Sequence, residues 1–411
     1  MKKIGLIGEK LGHSFSKIIH EKLGQYSYEL IPLEKEAFHA FMKKADFDGI
    51  NVTIPYKKDV IPYLDEISEE AKLCGAVNTV VKKNGMLYGY NTDVLGMEDM
   101  LRRAGIEIKD KNVLILGSGG TSGTALQLCR KLGAKSILRV SRREKDGAIS
   151  YEAAKEKTDT DVILNTTPVG MYPDMGESPI DLSCFPRLSA VADVIYNPLK
   201  TKLLLEAEKR SLRTTGGLYM LVSQAMHAAR LFTSDDFVLE RTEKIAAELY
   251  AAKENIVLIG MPACGKSTVG KALAEDLGRR FLDSDEEIVK KAGKEIPRIF
   301  AEEGEAAFRD LESRVIKDLS AEQGIVLATG GGVILREENV ENLRANGKIF
   351  FLDAPLETLV ATSDRPLSST PEALKQRYEE RYDRYLAVAD KRISVSRDLA
   401  ANLSAIKKEL I

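Results

Sequence analysis

The sequence predicts an α/β protein built mainly on parallel sheets, and three observations carry the prediction. Apolar runs of strand length alternate with segments of helical period along the chain, as in sheets covered by crossover helices. Two of those runs, Val113 to Leu116 and Ile256 to Ile259, open directly into glycine-rich turns and then into a helical pattern. Ahead of the first turn, Ile4 to Ile7 and Ile50 to Ile54 read as strands and Ser16 to Leu23 as a helix, so an α/β lobe precedes it. With 411 residues, at about 150 per folding unit, the chain has room for roughly three.

Beyond the first turn, Ala125, Leu128, Cys129 and Leu132 recur at the i, i+3, i+4, i+7 spacing of an amphipathic helix. Ser136 to Val140 follows as a strand. Thr233 to Asp236 is a short polar break between helical patterns. The stretch from Phe237 to Lys253, rich in Glu, Lys and Ala, is helix-like and leads straight into Ile256 to Ile259. After the second turn, Val269, Leu273 and Leu277 repeat at helical spacing. No Gly/Ser-rich or Pro-rich linker joins the halves, and no internal repeat relates them.

Composition narrows the function classes. Lys plus Arg (60) nearly balances Asp plus Glu (62), a net charge of -2 that gives no polyelectrolyte ground for nucleic acid or an anionic membrane as partner. Cys74, Cys129, Cys184 and Cys264 lack C-x-x-C spacing, and His13, His20, His39 and His227 form no metal-ligand pattern. Reduced thiols in a cytoplasmic protein are the expectation. Too few apolar residues separate Met1-Lys2-Lys3 from Glu9 for a signal peptide, and no apolar run approaches the roughly 18 residues of a membrane span. A soluble protein is the expectation within these bounds.

The two glycine turns differ in chemistry. Each places a helix N-terminus, with unpaired backbone N–H groups and the positive end of the helix dipole, where a phosphate can sit. The first, Gly117-Ser118-Gly119-Gly120-Thr121-Ser122, lets backbone approach a pyrophosphate closely; a plain tight turn is the bland alternative. The following strand ends in Ser141-Arg142-Arg143, where an acid would suit ribose hydroxyls. Arginines there suit a 2′-phosphate, pointing to NADP(H), or else mark a solvated basic turn. The second turn adds a lysine and a hydroxyl: Gly260, Gly265, Lys266 and Ser267 satisfy G-x-x-x-x-G-K-[ST], with Ala263, Cys264 and Thr268 in the same cradle. This pattern handles a transferable phosphoryl group of ATP, with Lys266 on the β- and γ-phosphates and Ser267 on Mg²⁺. Downstream, Asp283 and Asp285 at i, i+2 suit a metal-bound water and an attacking hydroxyl, or simple helix capping by Ser284 or Asp285.

Several further stretches carry a family resemblance. Gly12-His13-Ser14-Phe15-Ser16, Asn51 to Lys57 (N-V-T-I-P-Y-K), Ala76-Val77-Asn78-Thr79 and Gly89-Tyr90-Asn91-Thr92-Asp93 place hydroxyls, amides, a lysine and a carboxylate at loop positions; Ser16 alone could be an N-cap. With N-T-T-P-V-G-M (Asn165 to Met171), D-V-I-Y-N-P (Asp193 to Pro198) and L-V-S-Q-A (Leu221 to Ala225), they resemble the shikimate dehydrogenase family across residues 1–250. The resemblance implies NADP-linked interconversion of 3-dehydroshikimate and shikimate, with Lys57 and Asp93 as the catalytic pair. It further implies that Ser14, Ser16, Thr53, Asn78, Asp93, Tyr196 and Gln224 read the substrate, and that Thr167 and Gly217 join the cofactor cradle. Two positions depart from the family pattern: Lys17 replaces a proline, and Ser122 the third fingerprint glycine.

Beyond residue 254, the cradle is followed by F-R-D-L-E (Phe308 to Glu312), A-T-G-G-G (Ala328 to Gly332), D-R-P-L (Asp364 to Leu367) and E-R-Y (Glu380 to Tyr382), an ordered set that resembles shikimate kinase over residues 254–411. The resemblance implies that Asp285 orients the attacked hydroxyl, Arg309 and Arg381 hold the substrate carboxylate, Gly330, Gly331 and Gly332 approach the ring, Arg365 closes a lid, and Asp283 acts through metal-bound water. Residues 354–364 contain no Arg or Lys, where the family carries a basic residue facing adenine; Arg397, in a late S-R-D stretch, is either a substitute or a solvated surface arginine. Together the resemblances imply an N-terminal α/β substrate lobe (1–98 plus about 220–250), a Rossmann-like NADP lobe (99–219), and a P-loop kinase domain with a parallel sheet (254–411). The expected protein is a bifunctional enzyme in which shikimate made at one site is the acceptor at the other. A different P-loop kinase, for example one acting on gluconate, or an ATP-binding regulatory module with Phe350 to Asp353 as its acidic strand end, are the alternatives for the second half.

Overall fold

The computed structural model describes residues 2–11, 15–143, 147–360 and 370–410; two expected site residues, Ser14 and Arg365, lie outside them. The chain separates into two compact units, residues 1–171, 177–196 and 206–249 in the first and 172–176, 197–205 and 250–411 in the second.

The first unit holds two sheets. Strands β1 (Lys3–Gly8), β2 (Ser27–Pro32), β3 (Gly49–Val52), β4 (Glu66–Ile67), β5 (Thr79–Lys83) and β6 (Met86–Tyr90) form a sheet in the order β2-β1-β3-β5-β6-β4. β1 lies parallel to β2 and β3, whereas β5 is antiparallel to both β3 and β6. The sheet is therefore mixed, which the expected α/β substrate lobe left open. Its cause is local: Asn84 (φ 52) and Gly85 (φ 85) make the two-residue left-handed turn that folds β5 onto β6 as a hairpin. Both faces of the sheet are covered. Along β1, Ile4 and Leu6 pack in one apolar cluster with Ile19, Met226 and Phe232, while Ile7 points the other way, among Phe38, Met42 and Ile50. The strand's period of two makes that division, and each such fully buried side chain contributes roughly 1.5–3 kcal/mol relative to exposure.

The second sheet of this unit contains β7 (Asn112–Leu116), β8 (Ser136–Val140), β9 (Val162–Asn165), β10 (Ala190–Asp193) and β11 (Arg213–Thr215), all parallel, in the order β11-β10-β9-β7-β8. The chain steps from β7 outward to β8 and returns to β9 on the other side. The reversal opens a crevice at the carboxyl ends of β7 and β9, where ligands bind in open α/β sheets. Helix Thr92–Arg103 packs on helix Leu218–Thr233. Gly96 permits the approach, since a Cβ there would lie 2.8 Å from both Met220 O and Gln224 Cβ.

In the second unit, β12 (Asn255–Ile259), β13 (Phe281–Asp283), β14 (Val326–Ala328), β15 (Gly347–Asp353) and β16 (Lys391–Ser394) form a wholly parallel sheet in the order β13-β14-β12-β15-β16. Every residue of the central β12 is buried, which is why it reads as an unbroken apolar run. Helix Lys266–Leu277 begins at its carboxyl end. Helix Ile296–Ser320 is interrupted at Gly304 (φ 81, ψ 172). The helix expected over 237–253 starts as a 3₁₀ turn, Asp236–Arg241, and becomes α-helical over Thr242–Lys253. Among the described residues, no helix is long and apolar enough to cross a membrane.

Two candidate active sites

A cavity of about 510 Å³ in the first unit is lined by Ser16, Thr53, Lys57, Asn78, Asp93, Thr121, Tyr196, Gly217 and Gln224, gathering residues from nearly the whole length of that unit. Lys57 follows β3, and Asp93 sits in the first turn of helix Thr92–Arg103. Asn91 caps this helix, its Oδ1 accepting from Asp93 N–H (3.1 Å) and Val94 N–H (3.4 Å). Lys57 Nζ donates to Asp93 Oδ2 at 2.6 Å, with the two side chains 31% and 19% exposed. The pair is thus half-buried, where charges attract more strongly than at an open surface. Asn78 Oδ1 accepts from Thr92 N–H (2.8 Å), Thr92 Oγ1 (3.2 Å) and Thr79 Oγ1 (3.1 Å), so its amide N–H groups are what it offers the cavity.

Asn51 lines the same cavity and is absent from the residues expected there. Its Oδ1 accepts from Tyr28 OH (2.7 Å) and its Nδ2 donates to Thr79 Oγ1 (3.0 Å). The signal that could have found it is alternation, because Thr53, two residues on, shares its face of the chain. Ser16 does not cap the helix it begins; its hydroxyl hydrogen-bonds the buried Tyr28 phenol. The unusual Lys17 is accommodated at the surface, donating to Tyr28 O (3.1 Å) and pairing with Glu21 (2.9 Å). Burial raises the Tyr196 phenol above its ordinary value, and the ring meets Phe15 edge-on at 5.9 Å.

At the carboxyl end of β7, Gly117 adopts φ +113, and a Cβ there would lie 2.7 Å from Thr166 Oγ1. Gly119 begins helix Gly120–Lys131. Ser118 Oγ and Ser141 Oγ are 3.1 Å apart, and Arg142 and Arg143 are exposed just past β8. The departure at Ser122 explains itself: the side chain is fully buried, and its hydroxyl donates to Gly117 O at 2.7 Å. Thr167 Oγ1 donates to Asn165 Oδ1 (2.7 Å). At Gly217 a Cβ would stand 2.0 Å from Val194 O, so no side chain fits. Only Thr121 and Gly217 of this cradle face the 510 Å³ cavity; Ser118, Gly119, Gly120, Ser141, Arg142, Arg143 and Thr167 lie outside its lining.

The second unit holds a cavity of about 980 Å³ lined by Ala263, Gly265, Lys266, Ser267, Thr268, Asp283, Asp285, Arg309, Gly330, Gly331, Gly332 and Arg381. Gly260 and Cys264 lie beneath it. Cys264 is buried, and a Cβ on Gly260 would meet Leu352 O at 2.7 Å and Cys264 Sγ at 2.9 Å. Lys266 Nζ donates to the loop carbonyls of Gly260 (3.0 Å) and Met261 (2.9 Å). Ser267 Oγ donates to Asp283 Oδ2 at 2.6 Å. Asp283, rather than Ser284 or Asp285, caps the next helix, accepting from Asp285 N–H at 3.0 Å. Ser284 Oγ instead accepts from Gly330 N–H at 2.9 Å, tying the start of helix Ser284–Ala292 to the glycine triplet.

Both guanidiniums are almost fully buried, Arg309 at 7% and Arg381 at 4% exposure. Arg309 Nη1 donates to Glu312 Oε2 (2.8 Å), and Arg381 Nη1 to Gly331 O (3.1 Å). Burial pushes the Glu312 carboxyl above its ordinary value, with Arg309 pulling the other way. Glu312 also lines the cavity and is not among the expected site residues, although its i, i+3 relation to Arg309 on one helix is a signal that could have found it. The triplet is closely flanked by site side chains: a Cβ would come within 2.7 Å of Asp285 Oδ1 at Gly330, 2.9 Å of Pro262 Cδ at Gly331 and 2.2 Å of Arg309 Nη1 at Gly332, so a side chain there would displace these groups. Asp353, the acid at the end of β15, is occupied by Arg392 Nε (2.8 Å) and Tyr382 OH (3.2 Å).

Comparison with known proteins agrees with this geometry. Residues 262–410 match the family model for shikimate kinase, and residues 6–80 that for the shikimate dehydrogenase substrate binding domain. A shikimate dehydrogenase (NADP(+)) of Clostridium beijerinckii is 36% identical over 271 residues, covering 62% of this chain and 99% of the relative. The crystal structure of shikimate dehydrogenase 1 from Peptoclostridium difficile is 37% identical, with a TM-score of 0.54, over 61% of this chain and 98% of that one. Shikimate 5-dehydrogenase from Thermus thermophilus, solved in complex with NADP(H) and shikimate, is 31% identical with a TM-score of 0.54, over 60% of this chain and 100% of that one. The chain belongs to the shikimate dehydrogenase family and carries a shikimate kinase domain behind it.

Proposed function

We propose that the first cavity reduces 3-dehydroshikimate to shikimate with NADPH, and that the second transfers the γ-phosphoryl group of MgATP to the 3-hydroxyl of shikimate. The observation that supports this best is the content of the two cavities: Lys57 bonded to Asp93 in one, and a P-loop facing two buried guanidiniums in the other. On this reading residues 1–98 with about 220–250 form the substrate lobe, 99–219 the NADP lobe and 254–411 the kinase. A cytoplasmic location fits the four free cysteines.

The cradle after β7 fits a dinucleotide phosphate: its glycines leave space for backbone approach, a helix starts there, and Arg142 and Arg143 are free of burial beside it. Bound NADPH supplies the hydride. Lys57 Nζ then stabilises the charge developing on the C3 oxygen and gives that oxygen its proton, while Asp93 holds the ammonium in place. Ser14, Ser16, Thr53, Asn78, Tyr196 and Gln224 read the ring hydroxyls and carboxylate, with Thr167 and Gly217 completing the nucleotide side.

In the kinase, the hydroxyl of Ser267 and carboxylate of Asp283 are hard oxygen donors 2.6 Å apart, a set that fits Mg²⁺ held directly by one and through water by the other. Bound Mg²⁺ supplies charge neutralisation at the phosphate oxygens. Lys266, with the N–H groups of residues 263–268, holds the phosphates once it leaves the loop carbonyls. Arg309 and Arg381 grip the shikimate carboxylate, for which the guanidinium fork is suited. Asp285 orients the attacking 3-hydroxyl and takes its proton, and Arg365 closes over the transferring group.

A single assay tests both halves. Purified protein with 3-dehydroshikimate, NADPH, ATP and magnesium is expected to lose NADPH absorbance and to release ADP only after shikimate forms. ADP release that ignores shikimate, or that responds to gluconate instead, would remove the kinase half of the proposal.

A further inference from the structure

Tyr385 lies one helical turn after Arg381 in helix Pro371–Val388, fully buried, with its ring stacked on Phe351 at 5.0 Å. Its hydroxyl sits where two loops from different strands meet: the turn after β12 and the glycine triplet after β14. It donates to Gly331 O at 2.5 Å and stands 3.1 Å from Gly260 O. Burial raises the phenol far above its ordinary value, so it keeps its proton and remains a donor. Each carbonyl also has a second donor. Gly331 O accepts from Arg381 Nη1 (3.1 Å), and Gly260 O accepts from Lys266 Nζ (3.0 Å).

A phenol has one proton, so it serves one carbonyl at a time. In this structure Lys266 satisfies Gly260 O, and the phenol serves Gly331 O. If the second unit is the kinase proposed above, Lys266 must leave Gly260 O to reach a phosphate, which would strand a buried carbonyl, an unfavourable state. Tyr385 is placed to prevent that, because Gly331 O keeps Arg381 when the hydroxyl turns away.

We propose that Tyr385 is a positioning residue of the phosphoryl-transfer site: its hydroxyl turns from Gly331 O to Gly260 O as Lys266 departs, keeping both loop carbonyls hydrogen-bonded in the nucleotide-bound state. The role concerns the nucleotide side in particular. Tyr385→Phe leaves Gly260 O dependent on Lys266 and so favours the parked lysine. The expected result is a rise in KM for ATP of about fivefold, the factor given by one hydrogen bond of ordinary net strength. The KM for shikimate should change by less than about twofold, since Arg381 still serves Gly331 O.

The test uses the full-length chain, with shikimate-dependent ADP release as the readout, MgADP affinity by calorimetry as a second readout independent of turnover, and dehydrogenase activity as an internal control. Phe351→Leu loosens the stacked ring but keeps the hydroxyl, and is expected to lower the melting temperature with the ATP KM unchanged. The proposal is overturned by an ATP KM in Tyr385→Phe within twofold of wild type, by equal rises in both KM values, by the same ATP effect in Phe351→Leu, or by loss of cooperative unfolding in Tyr385→Phe. Absence of shikimate-dependent ADP release from the wild-type chain is a separate outcome, which would remove the kinase reading itself.

Discussion

His20 is buried in the first unit, stacked on Tyr28 at 4.1 Å, and burial lowers its imidazole to about 3. An unfolded chain takes up a proton there near pH 6.5. A depressed folded value gives stability that is complete above the unfolded value and declines as pH falls toward about 3. Between pH 7 and 5 this one group should cost the first unit on the order of 2 kcal/mol. Thermal melts of His20→Leu should show a shallower loss over that range than wild type, and identical slopes would assign the titration elsewhere. Lys57→Met is expected to cut reduction by about 10²- to 10⁴-fold, the usual worth of a placed proton donor, without altering ADP release. Residue types were legible at this scale and partners were not. The N-V-T stretch announces polar groups on a strand, but that Tyr28, 23 residues earlier, holds Asn51 follows only from the pairing of β1 with both β2 and β3.

At the scale of elements, strand–turn–helix units were readable because β7 and β12 are buried on both faces and must be apolar throughout. The antiparallel β5–β6 hairpin was missed although Asn84-Gly85 is its local signal; flanking strands of five residues are too short for alternation to stand out. Several glycines carry tertiary rather than local meaning. Gly217 has an ordinary φ of −72, so nothing near it in the chain asks for glycine, yet Val194 O occupies the space of its Cβ. Gly217→Ala should therefore destabilise the first unit by about 1–3 kcal/mol or more and weaken NADPH binding. Denaturant melts read by the dehydrogenase activity check this, and an unchanged midpoint would contradict the contact.

For the molecule as a whole, two compact units, each with its own parallel sheet and cavity, predict separable activities. Lys57→Ala should abolish reduction and spare phosphorylation, and Lys266→Ala the reverse; a folded variant that loses both would show that the sites depend on each other. The sequence by itself determined the α/β class and the two phosphate cradles, because backbone turns that hold phosphate need glycine at fixed local positions, and its longer motifs carried the resemblance to a dehydrogenase and a kinase. Only the tertiary structure decided which side chains meet. Lys57 reaches Asp93, Ser267 reaches Asp283, and Tyr385 reaches both Gly260 and Gly331, across gaps of 16 to 125 residues. Those contacts depend on strand order and helix packing, which chain-distant residues set jointly and which no short stretch of sequence encodes.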